Sequence, residues 1–119
     1  MSLGHYILRG REIVNCEHLG VIEWAKEYEA MGDRHLGDTI VKGVRVSTVF
    51  LGLDHSFGSG PPAVFETMVF NGKLDQYQQR YCTYDEAERG HKRMVHRVRL
   101  AEQSELERAV TKVRRKTKR

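Results

Sequence analysis

Three side chains able to do acid–base chemistry fall within one short region: Asp54 and His55 in LGLDHSFG, and Glu66 in the run that follows. A histidine beside a carboxylate on a glycine-flanked loop can be oriented for proton transfer, because imidazole changes charge near neutral pH. Glu66 is flanked by apolar residues, so its carboxyl lies either on a solvated face or in a cleft that raises its pKa. Brought together, Asp54, His55 and Glu66 would form a small catalytic or ligand-binding cluster, suited for instance to a nucleotide. The plainer alternative is that Asp54 bonds the backbone of its own loop, the commoner fate of an aspartate in a turn.

Other chemistries find less support. The histidines His5, His18, His35, His55, His91 and His96 show no H-x-x-x-H spacing, and Cys16 and Cys82 form no C-x-x-C pair. Neither a metal nor a cofactor is therefore expected. His91 falls in an apolar helical stripe and reads as a packed core histidine. The segment GSGPP lacks the lysine and the following helix of a phosphate-binding loop, and no serine or cysteine sits in a nucleophile elbow.

Charge points elsewhere. The chain carries 20 Lys and Arg against 16 Asp and Glu, a net charge of +4. Residues 1–106 hold 13 basic against 15 acidic side chains, whereas residues 107–119 hold 7 against 1. The basic character thus belongs to the C-terminus. Arg89, Lys92, Arg93, Arg97 and Arg99 have no acid among them, and Lys112, Arg114, Arg115, Lys116, Lys118 and Arg119 close the chain. Arg93, Arg97 and those six terminal cations are the expected contacts for a nucleic-acid backbone, bound electrostatically and without sequence preference. A solvated charged face is the competing reading, since the strip lacks the interleaved aromatics of a single-strand binder.

These residues are positioned by a small α+β fold. At 119 residues, 39% hydrophobic and 30% charged, the chain is one domain with a modest core. Its central stretch, VRVSTVFLGLDHSFGSGPPAVFETMVF, gives two apolar strands, Val44–Leu51 and Ala63–Phe70, around a loop from Gly52 to Pro62. Upstream, His5–Leu8 and Glu12–Cys16 form a first hairpin around Gly10. The three- and four-residue recurrence of Val21, Trp24, Ala25, Tyr28 and Met31 predicts a helix over Glu17–Met31 with Trp24 and Tyr28 facing the core. A polar connection, Gly32–Asp38, leads to a strand at Thr39–Val41 and a tight turn at Lys42-Gly43.

Asn71-Gly72 signals another hairpin, into a strand near Gln76–Tyr81. Thr83 and Glu86 form a capping box that starts the last helix, whose stripe is Ala87, His91, Met94, Val95 and Val98. With no proline or glycine to stop it, this helix is expected to run on through Leu106, Val110 and Val113 and to fray in the basic tail. The result is an antiparallel meander with two helices on one face. Residues 1–100 make the domain and residues 101–119 a basic helical extension. Strands apolar on both faces predict a homodimer through the second face of the sheet.

No apolar run approaches the roughly 20 residues of a spanning helix, and the N-terminus lacks a secretory pattern. A cytoplasmic protein with free thiols and no membrane contact is expected.

The segments HYILRGREIV, VSTVFLGLDHSFG, PPAVFETMVF and YCTYDEAERGH together resemble a family of small uncharacterised bacteriophage and prophage proteins. The likeness covers Gly4 to Val98, and the basic extension lies beyond it. What it implies is a phage-type accessory protein made in the host cytoplasm, with no family activity carried onto residues. Two functions follow as expectations. The first is a non-catalytic module that binds a host or phage macromolecule, either nucleic acid or protein, in modulating host metabolism or defence. The second is a nucleotide-sized ligand binder or enzyme built on Asp54, His55 and Glu66.

Overall fold

A computed structural model of the chain describes residues 4–56 and 60–117, with the side chain of residue 117 left aside. The order is β1 (Tyr6–Arg9), β2 (Glu12–Asn15), α1 (Val21–Ala30), β3 (His35–Val41), β4 (Val44–Phe50), β5 (Phe65–Phe70), β6 (Gln78–Tyr81), α2 (Tyr84–Ala101) and α3 (Glu105–Thr117). The fold is α+β and every strand pairing is antiparallel.

The strands fall into two sheets, β1-β2 and β3-β4-β5-β6. β3 and β4 are joined by the two-residue turn at Lys42-Gly43, both residues having positive φ, which fixes Val41 opposite Val44. β4 and β5 then pair from Arg45↔Phe70 to Phe50↔Phe65. Side chains alternate across this register, so Val44, Val46, Thr48 and Phe50 face the same side as Phe65, Thr67 and Val69. α2 lies on that side across all four strands. It buries Ala87, Gly90, His91, Met94 and Val98.

Two apolar clusters result. Val41, Val44, Val46, Val69, Met94 and Val98 form one, and Phe50, Val64, Phe65, Tyr81 and Ala87 the other. Full burial of an aliphatic or aromatic side chain stabilises by roughly 1.5–3 kcal/mol, so Phe50, Phe65 and Met94 dominate this core. The β1-β2 hairpin and α1 close one end through an aromatic chain: Trp24 stacks on Tyr28, Tyr28 tilts against Phe50, Phe50 against Phe65, and Phe65 meets Tyr84 edge-on. Trp24 and Tyr28 are core residues, as their spacing predicts.

Four local expectations are corrected. β3 begins at His35 rather than Thr39, because Gly37 and Asp38, which read as turn residues, pair with Thr48 and Ser47. Gly37 is required there by packing: a Cβ at that position would lie 2.6 Å from the His91 ring. Asn71 and Gly72 do take positive φ, but within a wider loop closed by Gln76 N–H to the Val69 carbonyl at 2.9 Å, so β6 starts at Gln78. α1 starts at Val21, which is exposed, and Glu17 to Leu19 form turns instead.

The C-terminal helix does not run on. α2 ends at Glu102, whose carboxylate accepts from the Lys73 amide at 2.6 Å, and a new helix begins after Ser104. The Ser104 hydroxyl accepts from the Glu107 amide at 3.1 Å, an N-cap that competes with continued helix. α3 has no extensive contact with any other element. An ion pair between Lys42 and Glu107 ties its first turns to the β3-β4 turn.

Candidate functional site

The three residues that suggested acid–base chemistry are engaged separately. One oxygen of Asp54 accepts from the amides of Ser56 at 2.8 Å and Ala63 at 2.9 Å, so this carboxylate pins the two ends of the β4-β5 loop together. Burial pushes its pKa up, but those amides outweigh burial and hold it below the usual carboxylate range. His55 N–H donates to the Ala63 carbonyl at 3.0 Å, and its ring makes no hydrogen bond to the other described residues. Glu66 lies on the sheet face away from α2, where it accepts from Arg80 at 3.0 Å. No hydrogen bond joins Asp54, His55 and Glu66 to one another among the described residues. Of the loop segment GSGPP, Gly58 and Ser59 lie outside those residues.

A cleft of ≈ 230 Å³ lies nearby, lined in part by Tyr28, Asp33, Arg34, His35 and Phe50. It is smaller than the ~300–1,000 Å³ of small-molecule sites. Arg34 lies over the Tyr28 ring at 4.2 Å, and Asp33 accepts from the His35 amide at 3.0 Å. The Tyr28 hydroxyl donates to the Phe50 carbonyl at 3.1 Å, and the His35 ring meets Asp33 at 2.8 Å. The thiols of Cys16 and Cys82 are free, and burial pushes the Cys82 thiol up, away from a reactive thiolate. No group of three or more His, Cys, Asp or Glu side chains among the described residues could hold a metal ion.

The polar constellation that the fold does assemble centres on His91. Its Nδ1 shares a hydrogen bond with Thr48 Oγ1 at 2.7 Å and its Nε2 with Thr39 Oγ1 at 2.9 Å, while Thr48 Oγ1 meets Thr67 Oγ1 at 2.6 Å. Thr48, Thr67 and His91 are buried between the two apolar clusters. Burial holds His91 below its ordinary pKa, with Asp38 pulling weakly the other way. A neutral imidazole between two hydroxyls satisfies every nitrogen, so this seam is structural. The sequence reading missed this seam; its signal is Thr48 and Thr67, hydroxyls spaced among strand valines and phenylalanines that must point inward.

The exposed surface of α2 is different in kind. Arg89, Lys92, Arg93, His96 and Arg99 project from the side opposite the buried stripe. At 1.5 Å per residue, Arg89 to Arg99 spans about 15 Å. None of Arg89, Lys92, Arg93 and Arg99 has an ion-pair partner among the described residues. Acids at the start of the helix do not neutralise the strip, because Asp85 and Glu88 are held by Arg11, which also lies over the Tyr84 ring at 4.4 Å. Arg97 leaves the strip and rests over the Tyr77 ring at 4.6 Å. On α3, Arg108, Lys112, Arg114, Arg115 and Lys116 are exposed. Lys118 and Arg119 lie outside the described residues.

Arg93 and Arg97, four residues apart, share a side of α2, but Arg97 is turned onto Tyr77, whereas Arg93 lies with Arg89, Lys92 and Arg99 on the exposed surface. What sets Arg97 apart is a ring from the β5-β6 loop, a contact that the helical period does not report. No helix among the described residues is long and apolar enough to cross a membrane. Comparison with family models, with curated proteins and with solved structures finds no match for the chain.

Proposed function

We propose that this protein is a small non-catalytic binding module that docks the phosphate backbone of a nucleic acid on the exposed strip of α2, with α3 extending the contact. In this reading it is a phage-type accessory protein acting on a host or phage macromolecule. The observation that carries it is the run of uncompensated cations, Arg89, Lys92, Arg93 and Arg99, on a helix whose other side is fixed to a sheet. A rigid row of cations releases counterions from a polyanion without ordering long flexible segments, and it reads no base edges. Asp54 and Glu66, each already bonded to its own neighbours, give the nucleotide-binding alternative no comparable support.

The test is the salt dependence of binding to a labelled duplex and to a labelled single strand. Each phosphate contact contributes about 0.9 to the logarithmic salt slope on duplex DNA. The triple variant R89A/R93A/R99A is expected to reduce that slope by about 3 and to weaken binding uniformly across sequences. An unchanged slope would sink the proposal. So would binding that persists at high salt and is lost on mutating His55.

A further inference from the structure

α3 carries an apolar stripe and a charge pattern that together specify an occupant. Leu106, Val110 and Val113 are 75%, 42% and 61% exposed, and Ala109 lies on the same face. The spacing of three, four and three residues puts all four on one stripe of a 13-residue helix. Rotation at 3.6 residues per turn places Glu105, Lys112 and Lys116 along one edge of that stripe, and Glu107 and Arg114 along the other. Each edge is acidic at its N-terminal end and basic at its C-terminal end.

We infer that α3 is a self-association helix that pairs antiparallel with α3 of a second copy of this chain. In an antiparallel pair related by a two-fold axis, each edge meets the same edge of the partner with its ends reversed. Glu105 then faces Lys112 and Lys116 of the partner subunit, twice over by symmetry. A parallel pair would bring unlike edges together at equal height, setting Glu105 beside Glu107 of the partner subunit and Lys112 beside Arg114 of the partner subunit. Charge therefore selects the antiparallel arrangement, and the helix dipoles favour it too.

The shapes agree. Centring the axis between Ala109 and Val110 sets Leu106 over a groove of ≈ 350 Å³ on the partner, lined by Ala109, Val110, Val113 and Arg114. Alanine at the centre admits close approach of the two helices, near the lower end of the ~8–10 Å usual between packed axes. A lipid surface fits less well, since Glu105 and Glu107 would meet anionic headgroups and the stripe has no aromatic residue. Four side chains per copy make a contact well below the ~800 Å² per partner of a standard interface, so the association is weak and concentration-dependent. This inference goes beyond nucleic-acid binding and is read without any nucleic acid.

The test is sedimentation equilibrium of the full chain at low salt over a wide concentration range. The weight-average mass is expected to rise from the 13.8 kDa monomer toward twice that value. Val110→Lys is expected to abolish the rise. Lys112→Glu with Lys116→Glu should weaken association by about tenfold, four symmetric contacts each having the size of an exposed ion pair. Adding Glu105→Lys to that double variant should restore it. Circular dichroism and urea unfolding check that each variant is folded. A chain that stays monomeric throughout overturns the inference, as does a dimer indifferent to Val110→Lys, or a triple variant no tighter than the double. Recruitment to anionic vesicles without self-association overturns it in favour of a membrane contact.

Discussion

α2 and α3 follow one another in the chain, and both are amphipathic, with acids in the first turn and cations toward the end. Yet α2 is half buried while α3 is exposed along nearly its whole length. Reach separates them. The stripe of Ala87, His91, Met94 and Val98 lands on four strands, whereas the break at Glu102 to Ser104 starts α3 beyond the sheet, where its own stripe meets no comparable surface. A 3.6-residue period thus reports that a face exists and leaves open what covers it. In α2 that face holds the fold together; in α3 it stays exposed.

The contrast is open to attack in stages. Met94→Ala should lower the free energy of unfolding by about 2–5 kcal/mol, the range for emptying a packed core site, whereas Val110→Ala should stay within about 0.5 kcal/mol, as exposed positions do. Urea midpoints at constant slope would show both. Equal losses would mean that α3 is packed in the free chain.

Acidification should act next, and only on the α2 side. Burial lowers the folded-state pKa of His91 below its unfolded value, so above that unfolded value imidazole is neutral in both states and nothing is lost. As pH falls through the unfolded value toward the lower folded one, the unfolded chain binds the proton first and stability drops. Below the folded value the loss stops growing. Urea midpoints measured from neutral pH down to about pH 5, spanning the histidine range, should therefore fall more steeply for the wild type than for His91→Gln. A parallel pair of curves would show that the Thr39–His91–Thr48 seam tolerates charge.

The smallest effect belongs to the cap. Ser104→Ala should cost about 1 kcal/mol of local α3 stability, seen as reduced helical signal and faster amide exchange in α3. Global unfolding should barely move.

Much of this frame can be read from residue order. The paired central strands, the Lys42-Gly43 turn and the Thr83 cap each follow from local chemistry, since alternation, positive φ and a hydroxyl three residues before a glutamate need no distant partner. The Thr83 hydroxyl does accept from the Glu86 amide at 3.1 Å, while the returning contact runs from that hydroxyl to the Glu86 carboxylate at 3.0 Å rather than to the backbone amide. What escapes is set by contacts across sequence distance. Gly37 looks like a turn residue until His91 is placed against it. Asp54 looks catalytic until Ala63, nine positions on, donates to it. Ser104 and Glu107 spell the same box as Thr83 and Glu86, but inside a continuous helical period they read as more helix. The basic face was visible as composition, and only the contact with Tyr77, twenty positions back in the chain, sorted Arg97 from Arg93.

The indole of Trp24 has one further consequence. It is the single tryptophan of the chain, its N–H donates to the Tyr6 carbonyl at 2.7 Å, and it stacks on Tyr28 with ring centroids 5.2 Å apart. Its fluorescence consequently reports on the docking of the first hairpin and is blind to the far helix. Emission and ellipticity recorded on one sample would distinguish the two ends of the molecule with no label attached.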